Sequence, residues 1–477
     1  MSGPSTGVRI DATPIALGER VQAMDVLRGA ALLGILLVNM SFFAAPFSDV
    51  VRDDLVHGLG PADRVAWFLV EVGCTGKFIS IFSFLFGAGI ALQAARLDAL
   101  RGVAATTRLL LRRLGVLALI GFVHATCIWY GDILWGYATL GWTLIVLRFL
   151  PPVAVAWCGA AMLLVSTLCM TGLSSLPLLA SLVEEREQTT TATDDGALAV
   201  DDEGLTGGPE APDASSEEPD ADAWVTPDGP TSAEAVRALG RRTSWNPMDP
   251  RWSDFERSTT RHGPASAALA LRTFQWSSSL PAIYLYFGPH LLGMFCLGMA
   301  AARTGLLGPD RRALHRRLAR TAIPAGLALS AIVPTLVLAG RSRDEPLLVG
   351  LTAVNELGTV VLALGYVGFF ARLAEDGPRP IARALARTGR MAFTIYLSMS
   401  VLMTGLFAWW GGGLFGEVGH VGRVGIALAT WCLLAAAAQL WLRVFAIGPM
   451  EWVWRSATYL RWMPLVRRAG QAAPGGE

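Results

Sequence analysis

An all-α transmembrane helix bundle of about ten spans, with both ends of the chain in the cytoplasm, is predicted by three observations. The 477 residues are 53% hydrophobic with a mean hydropathy of +0.46, too apolar for a surface facing water. The apolar residues collect into runs of about twenty, the length that crosses the hydrocarbon core of a bilayer as a helix. Arginine content alternates from loop to loop although the formal charge is only +1, as expected when short cytoplasmic loops hold the excess of basic residues. A near-neutral total supplies no field for nucleic acid or for an acidic substrate.

The ten expected spans are 24–47, 63–93, 109–130, 132–150, 153–182, 280–302, 319–338, 347–371, 391–410 and 424–447. The first is long enough to cross and has no Ala-x-Ala-like site behind it, so it reads as a retained span and not a removed signal peptide. The second carries Glu71 and Lys77 and is interrupted by Gly73-Cys74-Thr75-Gly76, which predicts a broken or hairpin-like element. Arginines follow the even spans: Arg96 to Arg113 after the second, Arg303 to Arg320 after the sixth, Arg372 to Arg390 after the eighth, and Arg455 to Arg468 in the tail. Asp49, Asp53 and Asp54 dominate the first loop, and the fifth is long and acidic. These placements put the tail 1–23 and the C-terminus inside.

The fifth loop, 183–279, is rich in Asp, Glu, Pro, Gly, Ser and Thr and is expected to be largely disordered outside the membrane. Trp245, Trp252 and Phe255 in its second half allow a small cap or interfacial segment. It separates five spans (24–182) from five (280–447), without a convincing repeat between the halves. The stretches 84–89 and 293–298 offer small residues for close helix packing. Residues 448–477, with Glu451, Arg455 and three tryptophans, read as an interfacial helix and cytoplasmic tail. The six cysteines lie in apolar stretches without CxxC or Cys/His spacing, so they read as packing residues and no metal is expected.

Ionisable groups inside a bilayer are costly, which makes each a functional candidate. His124 and Asp132 flank a tight turn between the third and fourth spans. A histidine there can act as general base, with Asp132 orienting it and stabilising the imidazolium; alternatively His124 bonds a neighbouring helix and Asp132 caps the next one. Asp25 and Arg28 share a face at the start of the first span. They read either as a helix cap with a basic anchor or as a site where the Arg28 fork holds an anionic cosubstrate. Asn39 needs a partner in the bundle. Lys77 is the single lysine of the chain, and with Glu71 it forms either a structural ion pair or part of a cavity. His290 and Glu356 also fall within spans, as core polar groups or substrate contacts.

The chain resembles the YeiB-like bacterial membrane proteins that carry domain of unknown function 418 (DUF418). The matching stretches are Asp25-Val-Leu-Arg-Gly through Asn39, Gly76-Lys-Phe with Phe82 to Gly89, His124 to Asp132, Gly389-Arg-Met-Ala-Phe-Thr-Ile-Tyr396, and Gly448-Pro-Met-Glu-Trp452. Lys77 fits the family pattern, whereas Ile395 and Met399 stand where the family commonly has Asn and Gln. Through Asp25, Arg28, Gly29 and Asn39 the family is similar, distantly, to the transmembrane acyltransferases that include heparan-α-glucosaminide acetyltransferase. That resemblance implies acyl-CoA as a cytoplasmic cosubstrate, held by Arg28 and Lys77, and a glycan or lipid acceptor outside, with membrane lipids as surroundings. Their catalytic histidine closely follows the first span; His57 here lies in an exposed acidic loop, and the role is not carried to it.

Three functions follow as expectations: an O- or N-acyltransferase of the bacterial inner membrane using His124 and Asp132, a transporter using the broken second span, or a non-catalytic envelope scaffold whose acidic loop binds a partner.

Overall fold

The computed structural model describes residues 22–52, 54–195, 250–343, 345–375 and 379–466. In chain order the helices are α1 (Gln22–Ala44), α2 (Phe47–Val51), α3 (Asp54–His57), α4 (Pro61–Gly73), α5 (Lys77–Arg101), α6 (Val103–Val123), α7 (Leu134–Leu147) and α8 (Pro152–Asp195). They continue as α9 (Pro250–His262), α10 (Ala265–Ala282), α11 (Gly288–Arg303), α12 (Arg312–Leu338), α13 (Pro346–Glu375), α14 (Pro380–Arg390), α15 (Ala392–Phe407), α16 (His420–Val444) and α17 (Pro449–Tyr459). Among the described residues no strand forms beyond one isolated bridge between Phe445 and Val466.

Each expected span falls on helix, but the number that qualify by length and composition differs from ten. Among the described residues, eight helical stretches are long and apolar enough to cross a membrane, and α14 with α15 make a ninth if their 79° bend is counted within one span. The expected fourth span shrinks to the 14 residues of α7, about 21 Å of helix against a core of about 30 Å. The turn before it is held by Asp132, which accepts from the Trp135 N–H, and turns at Phe149 and Leu150 close its other end. The expected second span is broken, as its glycines predict, but not folded into a hairpin: α4 ends at Gly73, α5 begins at Lys77 with Gly76 at φ +80° between them, and the two continue as one stretch, Pro61–Arg101. The acidic segment 196–249 lies outside the described residues, as does the tail 1–21, so the disorder expected of that loop is untouched; α9 and most of α10 lie within the expected loop.

Side-chain and backbone bonds gather the loops into two groups. At one end Arg303 Nη1 donates to the Leu150 carbonyl (2.6 Å), Arg148 to Asp98 (3.4 Å), Arg312 to the Glu375 carbonyl (2.6 Å) and Trp454 Nε1 to the Arg113 carbonyl (2.9 Å). At the other, Gly416 N–H donates to Ala44 O (2.7 Å), Arg257 to Asp49 (2.9 Å), Trp409 N–H to Thr260 O (2.9 Å) and Arg272 to Cys127 O (3.2 Å). The arginine-rich loops thus share one, basic end and the loops between them the other, where Arg257 and Arg272 are interleaved with Asp49, the alternation expected of successive crossings.

Between the ends the molecule is apolar outside and carries its polar groups within. Trp157 is 72% exposed and Val146 70%, while Lys77, Ser80, His124 and His290 are buried. Such a surface is stable in lipid and would associate in water. Helices approach closely where glycines face backbone: a Cβ on Gly87 would lie 1.9 Å from Phe295 O, and one on Gly298 1.8 Å from Phe84 O, so α5 and α11 cross at reciprocal small residues. Gly29 and Gly389 do the same for α1 and α14.

Candidate functional site

The helix α6 does not stop at Val123 but widens into a single π turn, His124–Ile128, closed by Trp129 N–H donating to His124 O at 2.9 Å. Such turns insert one residue into a helix and redirect its side chains, often at functional sites. Here the turn brings His124 against Asp132, with His124 Nδ1 2.9 Å from Asp132 Oδ1 and both side chains almost fully buried. Asp132 Oδ2 accepts from the Trp135 backbone N–H at 2.8 Å, so the same carboxylate holds the first turn of α7 and the imidazole. Gly121 permits this, because a Cβ there would sit 2.5 Å from Trp135 N.

With Nδ1–H given to the carboxylate, Nε2 of His124 is the basic nitrogen, and it is buried without a hydrogen-bond partner among the described residues. A buried polar atom left unmatched costs about 1–3 kcal/mol, which makes it conspicuous. The Tyr396 ring lies 5.4 Å from the imidazole, and Ile133 N–H donates to the Tyr396 oxygen at 3.4 Å. Two further buried donors close by, Trp129 Nε1 and the Tyr130 hydroxyl, also lack partners among the described residues. The dyad, oriented base and free nitrogen, is an arrangement that can remove a proton from a hydroxyl or amine.

Above the turn, a narrow cleft of about 40 Å³ is lined by Phe43, Trp129, Tyr130, Glu256, Arg272 and Gln275 among others. The helix α9 roofs it: Phe47 N–H donates to Glu256 Oε2 at 3.0 Å, Ser253 Oγ to Asp49 at 2.5 Å, and Arg257 pairs with Asp49 at 2.9 Å. Burial pushes the Glu256 carboxyl up from 4.5 to about 7, against the bonds from Gln275 and Phe47 that favour its charge. The folded protein therefore holds this proton more tightly than the unfolded chain does. Its contribution to stability is full below pH 4.5 and lost as pH rises through about 7. Thermal unfolding in detergent should show a midpoint falling over that window, and Glu256→Gln should flatten the fall.

At the basic end, Arg28 Nη1 donates to Asp25 Oδ1 at 3.0 Å. The Arg28 guanidinium lies against Gly89 and within electrostatic reach of Arg113, as does Arg455. Arg113 in turn stacks 3.7 Å over the Trp454 ring. Arg28 and Phe43, whose ring stacks on Trp129 at 4.1 Å, are separated by about 22 Å along α1. The structure thus places the candidate base and the candidate anion site at opposite ends of the bundle. Asn39 is half-buried and makes no side-chain hydrogen bond among the described residues.

The remaining candidates meet around the break between α4 and α5. Lys77 Nζ donates to the Glu71 carbonyl at 3.1 Å, capping α4, while the Glu71 carboxylate accepts from Thr75 at 2.8 Å and Arg343 at 3.0 Å. His290 Nδ1 is 3.4 Å from Glu356 Oε2, and its Nε2 is 2.7 Å from Ser80 Oγ. Sequence reasoning passed over Ser80, Glu256 and Arg343, and it named Tyr396 only as part of a family motif. Glu451 is a helix staple: it accepts from Phe393 N–H at 2.8 Å and from the Thr394 hydroxyl at 2.5 Å, and burial raises its carboxyl above the usual range. No group of three or more metal-ligating side chains occurs among the described residues.

Residues 301–461 match the family described as "Protein of unknown function (DUF418)". The chain is 28% identical over 459 residues to the uncharacterized protein YxaH of Bacillus subtilis, covering 95% of this chain and 98% of that one. It is 28% identical over 450 residues to the uncharacterized protein YeiB of Escherichia coli, covering 92% and 96%. Over 112 residues it is 42% identical to an uncharacterized 39.9 kDa protein in the amylase 3' region of Bacillus acidopullulyticus, 23% of this chain and 29% of that protein. No solved structure matches. Glu356 and Glu451 lie inside the family segment, whereas His124 and Asp132 lie outside it and within the span aligned to YxaH and YeiB.

Proposed function

We propose that the chain, which belongs to the YeiB-like DUF418 family, is an acyltransferase of the bacterial inner membrane, moving an acyl group from cytoplasmic acyl-CoA to a glycan or lipid acceptor outside. The observation that carries this reading is the buried His124–Asp132 dyad with a partnerless Nε2. In the reaction Nε2 takes the proton of an acceptor hydroxyl or amine as its oxygen or nitrogen bonds to the thioester carbonyl carbon. The C–S bond then breaks and the thiolate leaves with the proton returned by the imidazolium. Asp132 Oδ1 keeps Nδ1 protonated and offsets the transient positive charge. Arg28, with Arg113 and Arg455 nearby, supplies donors for the phosphates of the nucleotide part of the donor.

Transfer of a labelled acyl group from acyl-CoA to envelope glycans or lipids, by purified protein in proteoliposomes, tests the reading. Loss of one charge-assisted bond costs about 1.5–3 kcal/mol, so Arg28→Gln should raise KM for acyl-CoA roughly 10- to 100-fold and leave kcat within a few-fold. A second reading, proton-linked transport of a small molecule or lipid precursor, is favoured by the break at Gly76 beside a polar cavity lined by Glu71 and Arg343. Solute flux without an acyl product would select it.

A further inference from the structure

A second polar cluster lies inside the bundle where α4, α5, α11 and α13 meet, and hydrogen accounting there yields a result that acyl transfer does not use. Ser80 Oγ is 2.6 Å from Gly76 O and 2.7 Å from His290 Nε2. The single hydroxyl proton can occupy only one of these contacts. Directed at His290, it would leave two oxygen atoms facing each other at 2.6 Å with no proton between them. Directed at Gly76, it makes the ordinary back-bond of a helical serine to the carbonyl four residues earlier, and Nε2–H of His290 donates to Ser80. The second arrangement satisfies every contact, so His290 carries its proton on Nε2. On the other side of the ring, Nδ1 lies 3.4 Å from Glu356 Oε2. A bare Nδ1 would oppose its lone pair to a carboxylate, so a further proton belongs on Nδ1 or on the carboxyl.

We propose that His290 and Glu356 form a proton-binding site within the bundle, a function separate from acyl transfer and independent of it. A cavity of about 170 Å³ lined by Glu71, Arg343, Thr352, Asn355 and Ser174 among others opens nearby. Asn355 adjoins Glu356 in the chain, and the Glu356 side chain is itself 22% exposed. The charged and titratable groups facing the site are Lys77 and Cys74 beside the helix break, Glu71 on α4 and Arg343 before α13. The Lys77 ammonium lies within electrostatic reach of Glu71 and of Glu356, so loading the site adds a positive charge beside an ammonium already there. Hydrogen bonding favours the loaded form and electrostatics the empty one; opposition of that kind allows a proton to be taken up and given back.

Nitrogen-15 NMR of histidine-labelled protein in lipid nanodiscs, with the His290 resonances among those of six histidines identified by their absence in His290→Gln, tests the assignment between pH 5 and 8, where an imidazole changes charge. The expected result is Nε2 protonated throughout, accompanied at the lower pH values either by a protonated Nδ1 or by an infrared band of a carboxylic acid that Glu356→Gln removes. A neutral ring with Nδ1–H and bare Nε2 across the range would overturn the proposal, since it would mean that Ser80 donates to His290 and no extra proton is held. Should His290→Gln fail to fold, Glu356→Gln identifies the same ring through its shifted signals. Absence of any acid band together with a singly protonated ring at every pH in the range is likewise a refutation.

Discussion

Replacing His124 with alanine is expected to lower acyl transfer about 10²- to 10⁴-fold, the usual contribution of a positioned general base. It should also cost about 1–3 kcal/mol of stability, because Asp132 Oδ1 would be left buried and unmatched. Glutamine separates the two effects. Its side-chain amide can still donate to Asp132 but offers no basic nitrogen, so His124→Gln should lose the same activity while keeping an unfolding midpoint near that of the parent. The kcat for transfer of a labelled acyl group, measured beside thermal unfolding in detergent, reads both quantities. Wild-type turnover in the glutamine variant would place the base elsewhere.

The largest structural effect is expected at the crossing of α5 and α11. Even the single methyl of Gly298→Ala would lie 1.8 Å from the Phe84 carbonyl oxygen, a backbone atom that cannot rotate away. Overpacking of this kind costs about 1–3 kcal/mol and at times more, and Gly298→Val or Gly87→Val should abolish recovery of monodisperse protein. Gly115 is the control. It also sits within a helix, but an added Cβ there meets nothing within 4 Å, so Gly115→Ala should be neutral or stabilising by up to about 1 kcal/mol. Size-exclusion profiles and unfolding midpoints of the four variants distinguish a packing requirement from a general intolerance of substitution in the bundle.

The two sites differ in how far the chain order reveals them. His124 and Asp132 are 8 residues apart across one turn, so any compact turn brings them near each other, and the dyad was legible from spacing alone. The cluster around His290 was not: Ser80 pairs across 210 residues and Glu71 across 272. Lys77 stood out only as a solitary lysine. Its actual contact, the carbonyl of Glu71, depends on a helix break that Gly76 permits but does not compel. Glu451 read as part of an interfacial helix, and the tertiary fold turns it inward to hold the start of α15.

Apolar length and the placement of arginines are local properties, so the amino-acid order by itself determined that lipid is the solvent of this protein, where the spanning helices fall, and which loops share an end, though not the helices α9 and α10 within the expected loop. The partner of each buried polar group was decided only by tertiary structure. In a low-dielectric interior such a group takes whichever donor or acceptor helix packing brings within about 3 Å, and packing is set by contacts between residues far apart in the chain.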